Sequence, residues 1–133
     1  MIGNSSKWND KHIFFAQCLL MSQFKNIAGF KCTLLQPRLK LDCSKDLVQI
    51  LHICGGHWIV ISNIHTMKTR LYVYDTVYST VSEETKKIIS GMIKNDVRID
   101  VYPGLQKQIG GADCGVFAIA IATSLSWYGS YYF

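Results

Sequence analysis

The chain of 133 residues carries a net charge of +5, and 49% of its residues are apolar while 17% are charged. This length suits one domain with its own core, and the apolar content excludes an intrinsically disordered chain. Basic residues never run longer than two and no apolar run approaches the roughly 20 residues of a membrane span, so neither nucleic acid nor a membrane is an expected partner.

The five cysteines, at positions 18, 32, 43, 54 and 114, are interpreted as free thiols. Their number is odd, no two form a Cys-x-x-Cys pair, and the chain opens without a secretion signal. We therefore expect an intracellular protein, in the nucleus or the cytoplasm. Cys54 and His57 have the spacing of a ligand pair, with Cys43 and His65 nearby, but a zinc site normally brings two close pairs. No metal site is expected.

The first half of the chain predicts one helix and two strands. Asn9 or Asp10 caps the helix, which covers about residues 10–24, and Gly29 closes that region. Residues 30–45 are less regular. Strands are predicted over 46–53 and 57–64, separated by a turn or bulge at Gly55-Gly56.

The second half alternates strands and helices. In chain order the predicted elements are a strand at Leu71–Thr76, a helix from Ser82 to about Lys94, a strand at Val97–Tyr102, and a helix from Asp113 or Cys114 to about Leu125. No clear period follows in residues 126–133. This order, without a repeat or a linker, predicts a single α+β domain over residues 1–133.

Cys114 lies between a glycine-rich stretch and the apolar run of the last predicted helix. A cysteine reacts as the thiolate, and the unpaired N–H groups and dipole of a helix N-terminus stabilise negative charge. Gly110 and Gly111 allow a sharp turn and a close approach to substrate. A cysteine alone is more often a buried core residue, but the surrounding Gly-Gly-x-Asp-Cys-Gly favours a nucleophile.

His57 and Asp75 are the candidate base and its orienting partner. His57 follows two glycines at the start of a strand, and Asp75 ends the next strand, 18 positions later. In an antiparallel hairpin an early residue of one strand lies beside a late residue of the other. Asp75 is then placed to accept from one imidazole nitrogen and to fix the tautomer of His57.

Two further side chains have candidate roles. Gln108 lies six residues before Cys114 and can donate its amide N–H to an oxyanion, although Gln106 competes for that role. Trp58, beside His57, offers a flat apolar wall to a substrate, and the alternative is a tryptophan of the core.

Together these motifs resemble the ubiquitin-like protease family, which includes the SUMO-specific proteases. The matching residues are His57-Trp58, Asp75, Gln108 and Asp113-Cys114-Gly115-Val116-Phe117, and Asn9-Asp10 resembles the family's Trp-Leu-Asn-Asp segment. The resemblance covers essentially the whole chain. It implies a papain-like α+β fold, with a central, mostly antiparallel sheet flanked by helices and the nucleophile at a helix N-terminus.

The resemblance also implies an activity and a binding site. It implies a thiol peptidase or isopeptidase, including the deubiquitinase type, that cuts after the Gly-Gly end of ubiquitin or a SUMO- or NEDD8-type modifier and its conjugates. It needs no cofactor, and a monomer is expected. The implied substrate-binding residues are Trp58, Trp8, Asp10 and Gly111. The chain departs from the family at Lys7-Trp8, where the family has Trp-Leu, and it is either a minimal domain or a fragment.

Two other classes of function remain open from the sequence. One is an acetyltransferase that uses the same cysteine, although no basic cluster for an acetyl donor is evident. The other is an inactive domain that binds a ubiquitin-like tail without cutting it. The altered Lys7-Trp8 segment favours this alternative, and the presence of all four candidate catalytic residues disfavours it.

Overall fold

A five-stranded mixed sheet forms the centre of the computed structural model, which describes residues 10–53, 56–107 and 114–131. The strands are β1 (Ala28–Gly29), β2 (Leu47–Ile53), β3 (His57–Ser62), β4 (Arg70–Tyr74) and β5 (Arg98–Val101), and they lie side by side in chain order. The helices are α1 (Asp10–Gln23), α2 (Glu83–Met92) and α3 (Cys114–Tyr131), and a 3₁₀ segment spans Thr33–Arg38. This is the α+β architecture that the sequence predicts.

The sheet is antiparallel at its centre and parallel at its edges. β2 pairs with β3 and β3 pairs with β4 in antiparallel fashion, whereas β1 joins β2 and β5 joins β4 in parallel. The expectation of a mostly antiparallel sheet therefore holds for the three central strands only. β5 runs parallel to β4 because α2 lies between them and carries the chain back to the same end of the sheet.

β2 and β3 are buried on both faces. All six residues of β3 are buried, as are the first five of β2. Their sequences are nearly continuous apolar runs, which is typical of strands covered by other elements on both sides. β3 is thus the buried central strand of the sheet, and its first residue is His57.

Two apolar clusters pack on opposite faces of this sheet. On one face α1 and α3 meet the sheet through residues that include Ile13, Phe24, Trp58, Val60 and Ala118. On the other face α2 packs through Ile89 and Met92 onto side chains that include Leu51, Ile59 and Leu71. The alternation along β3, with Trp58 and Val60 on one face and Ile59 on the other, is the ordinary period of a strand.

The predicted boundaries of α1 and α2 are confirmed to within a few residues. Ser82 caps α2, since its hydroxyl accepts from the backbone N–H of Thr85, and Glu83 and Glu84 occupy the first turn. Both features follow from the preference of a helix N-terminus for short polar caps and negative charge.

α3 is longer than the sequence predicts. It runs to Tyr131 rather than ending near Leu125. The helix is apolar around its circumference and leaves Val116, Phe117, Trp127 and Tyr128 exposed, so no polar face marks its period in the sequence. Within the described ranges, no helix is both long enough and apolar enough to cross a membrane.

Gly29 has a different role from the predicted one. α1 has already ended at Gln23, and Gly29 belongs to β1 with a φ of 105°. A Cβ at this position would lie 2.0 Å from the carbonyl oxygen of Val48. Glycine is therefore required so that β1 can approach β2, and a strand of two residues gives no periodic signal from which it could be predicted.

Candidate active site

His57 and Asp75 form a buried hydrogen-bonded pair at the ends of neighbouring strands. His57 begins β3, Asp75 directly follows β4, and the two strands pair in antiparallel register. The Nε2 atom of His57 lies 2.7 Å from Oδ1 of Asp75. The two residues are 8% and 5% exposed. The hairpin spacing thus brings together the two side chains that the sequence predicts, whereas their catalytic role remains a prediction.

The turn after β4, residues 75–78, holds the Asp75 carboxylate in place. Oδ1 of Asp75 also accepts from the backbone N–H groups of Val77, at 2.8 Å, and Tyr78, at 2.9 Å. Burial raises the pKa of this carboxyl group, but the hydrogen bonds from His57, Tyr78 and Val77 outweigh burial and hold the pKa below its usual value. Asp75 is therefore ionised at neutral pH.

This ionisation assigns the tautomer of His57. An ionised carboxylate has no proton to donate, so Nε2 of His57 carries the hydrogen that it shares with Asp75. In the neutral imidazole the other nitrogen, Nδ1, then bears the lone pair. The pair is therefore arranged to accept a proton at Nδ1 of His57, while Asp75 stabilises the imidazolium that results.

Cys114 is the first residue of α3, as the sequence predicts. It is 6% exposed and belongs to the apolar cluster that also contains Trp58 and Ala118. α3 packs against β2 and against β3, the strand that begins with His57. In the described part of the chain the thiols at positions 18, 32, 43 and 114 are all unpaired.

Trp58 is a core residue in this structure. It is 4% exposed, and its ring stacks on His52 of β2 with centroids 4.2 Å apart and an angle of 15° between the planes. The two residues lie opposite each other in the β2–β3 register. The burial matches the alternative of a core tryptophan, and the predicted role as a wall for substrate stays a prediction.

Several predicted site residues lie outside the described residues. These are Trp8, Gln108 and Gly111, and for Asp10 only the backbone, as the first residue of α1, is described. In the described ranges, no group of three or more histidine, cysteine or acidic side chains could hold a metal ion.

Tyr78 contacts His57, and no catalytic motif in the sequence predicts this contact. Its ring stands perpendicular to the imidazole of His57 with centroids 5.6 Å apart, and 58% of the residue is exposed. The Tyr78 ring therefore lies against the imidazole of His57, while the rest of its surface faces solvent. The signal for this contact is Asp75 itself, because an aspartate that ends a strand commonly accepts from the backbone N–H groups two and three residues later.

Comparison with known proteins finds structural but not sequence likeness. No family model matches the chain, and no curated protein matches it. The C-terminal protease domain of yeast Ulp1, solved in complex with Smt3, the yeast orthologue of SUMO, superposes with a TM-score of 0.67 at 13% identity over 90% of this chain and 66% of that one.

Further structures of the SUMO protease Ulp1 are similar to the chain. Ulp1 with its catalytic cysteine oxidised to a sulfinic acid has a TM-score of 0.65 at 13% identity, and the sulfenic acid form has 0.65 at 12%. The match covers 93% of this chain and 67% of each of those chains. The chain thus spans about two thirds of the length of these domains, and it has the fold of a Ulp1-like protease domain.

Proposed function

We propose that the protein is a cysteine peptidase or isopeptidase that cleaves after the C-terminal Gly-Gly of ubiquitin or a ubiquitin-like modifier. The observation that carries this proposal is the buried His57–Asp75 pair, at 2.7 Å, in a fold whose last helix, α3, begins with Cys114. The Ulp1-like fold supports the same class of reaction. The proposed domain is the whole of residues 1–133.

The proposed reaction uses four residues, and Asp75 takes part by orienting the imidazole of His57. The Cys114 thiol gives its proton to Nδ1 of His57, and the thiolate attacks the carbonyl carbon of the terminal glycine. Gln108 and a backbone N–H stabilise the oxyanion, whose charge appears only in the transition state. As the C–N bond breaks, His57 returns the proton to the leaving amine. In the second step His57 deprotonates a water molecule, which hydrolyses the thioester and releases Cys114.

The proposal sets a geometric requirement on Cys114. By strand alternation His57 shares a face of the sheet with Ile59, whereas Cys114 packs in the cluster of Trp58 on the other face. The sulfur and the imidazole must therefore meet beyond the end of the sheet, where β3 begins. His57 is the first residue of that strand, which places it at this end.

Turnover of modifier substrates tests the function. Ubiquitin, SUMO and NEDD8, each with a fluorogenic amide at the terminal glycine, are incubated with the wild type and with Cys114→Ala. We expect release from at least one substrate and none by the variant. If neither protein releases the fluorophore but both bind a modifier with equal affinity, the protein is a binding domain and the proposed reaction is wrong.

A further inference from the structure

A lysine that follows β5 anchors the turn that holds the Asp75 carboxylate. The ammonium group of Lys107 donates to the backbone carbonyl of Asp75 at 2.9 Å and to that of Tyr78 at 2.7 Å. These two carbonyls belong to the first and last residues of the turn after β4. One side chain from a distant part of the sequence therefore spans the whole turn.

The carbonyl contacts complement the N–H contacts inside the same turn. Oδ1 of Asp75 accepts from Val77 and Tyr78, which orients the carboxylate toward His57. Lys107 satisfies carbonyls at both ends of the turn, and a charged donor makes stronger hydrogen bonds than a neutral one. The contacts of Lys107 thus hold the backbone whose N–H groups fix Asp75.

Lys107 also lies at the start of the chain segment that leads to Cys114. It follows β5 and the turn at Pro103-Gly104, and it is joined by one peptide bond to Gln108, the proposed oxyanion donor. The backbone N–H of Tyr102 donates to the carbonyl of Val73 at 2.8 Å, so the chain still lies beside β4 just before the Pro103-Gly104 turn. The ammonium contacts therefore tie the start of the segment that leads to Cys114 to the Asp75 turn.

We infer that Lys107 is a positioning residue of the proposed reaction, which joins the Asp75 turn to the chain segment that carries Gln108. This inference rests on the proposed function. Lys107 touches neither the reacting sulfur nor the imidazole in the described contacts, and it acts through Asp75 and Tyr78. Because Lys107 is exposed, its hydrogen bonds contribute little to global stability, so its replacement should change catalysis without unfolding the protein.

The test compares Lys107→Met, Lys107→Arg and a control, Lys87→Met. Methionine keeps an unbranched chain and removes the donors, whereas arginine keeps a charged donor. Lys87 is exposed on α2, so its replacement makes the same change in net charge elsewhere. On a modifier substrate we expect Lys107→Met to lower kcat roughly 10- to 100-fold with KM changed less than about twofold, and Lys107→Arg to restore most of the loss.

A second readout needs no substrate. Hydrogen exchange of the Val77 and Tyr78 amides reports the stability of the turn, and we expect it to accelerate at least about tenfold in Lys107→Met and to stay at the wild-type rate in Lys87→Met. If the wild type turns over substrate and Lys107→Met matches it in kcat and in exchange, the inference is wrong and the proposed function stands. If the wild type cleaves none of the modifier substrates, the proposed function fails and the positioning role fails with it.

Discussion

His57 Nε2 lies 2.7 Å from Asp75 Oδ1, and the same carboxylate oxygen accepts from two backbone N–H groups of its own turn. A carboxylate that only stabilised the fold could lie at the surface, where it keeps its hydration and no desolvation free energy is lost. Here the pair is buried, and the carboxylate, held by its own turn, fixes one imidazole nitrogen of His57. This arrangement prepares the other nitrogen to accept a proton, which is the central element of the proposed mechanism.

Asp75 should make folding sensitive to acid. Its pKa in the folded protein is below the ordinary value of 3.8, so as pH falls the unfolded chain takes up this proton first. The stability contributed by Asp75 is fully present above about pH 4 and is lost as pH falls through the lowered pKa. We expect Asp75→Asn to be about 1 to 3 kcal/mol less stable at neutral pH and to lose less stability than the wild type on acidification.

Urea unfolding at a series of pH values from about 6 to about 2.5 measures this difference. Asp96→Asn is the matched control, since Asp96 is exposed between α2 and β5. Parallel pH curves for the wild type and Asp75→Asn would show that the carboxylate is not held as the structure describes.

Asn63 should be essential for the start of β2. Its side-chain oxygen accepts from the N–H of Leu47 at 2.9 Å, and its amide donates to the carbonyls of Cys43, at 3.0 Å, and Lys45, at 2.8 Å. Asn63 is fully buried, so Asn63→Leu leaves backbone groups without partners, and we expect a loss of roughly 2 to 4 kcal/mol in the free energy of unfolding. In chemical denaturation, Asn26→Leu at an exposed position should cost less than about 0.5 kcal/mol, and equal losses would contradict the account.

Gly29 and Gly91 should respond in opposite directions to the same substitution. Gly29→Ala places a methyl group against the Val48 carbonyl at a φ of 105°, and we expect it to destabilise the protein by about 3 kcal/mol or more. Gly91 lies in α2 with nothing within 4 Å of an added Cβ, so Gly91→Ala should stabilise by about 0.5 to 1 kcal/mol. Thermal unfolding of the two variants decides this, and a tolerated Gly29→Ala would show that β1 does not approach β2 as described.

Cys114 and His57 should be bridged by a short bifunctional alkylating reagent. The proposal requires these side chains to meet where β3 begins, so 1,3-dibromoacetone should link the sulfur of one to the imidazole of the other. Peptide mass spectrometry after digestion identifies the cross-link, and it should disappear in His57→Gln. If Cys114 is alkylated in the wild type without a link to His57, the two groups are not neighbours and the proposed proton transfer is wrong.

Strand pairing and helix-capping preferences suffice to predict the His57–Asp75 pair and the starts of the helices from the sequence. Antiparallel pairing through a hairpin fixes which residues are adjacent, so the positions of His57 and Asp75 follow from strand lengths alone. The cap of α2 follows from Ser82 and the two glutamates after it. Each of these features depends on residues that are close in sequence or joined by one hairpin.

Other features depend on contacts that the sequence does not encode locally. The parallel pairing of β5 follows from the path of α2, and the two-residue strand β1 is too short to show a period. Trp58 is buried in the cluster that α1 and α3 form on the sheet, and it stacks on His52 of the neighbouring strand. The contacts of Lys107 with the Asp75 turn join residues about 30 positions apart and have no sequence motif of their own.

Covalent capture by a modifier tests the central claim, that Cys114 is a nucleophile served by His57. Ubiquitin, SUMO and NEDD8 carrying a thiol-reactive group at the terminal glycine are incubated with the wild type, His57→Gln and a control, His12→Gln, at an exposed position of α1. We predict an adduct located by mass spectrometry at Cys114, formed at the same rate by His12→Gln and at least about 100-fold more slowly by His57→Gln. An adduct at another cysteine, no adduct with any modifier, or an undiminished rate in His57→Gln would contradict the account.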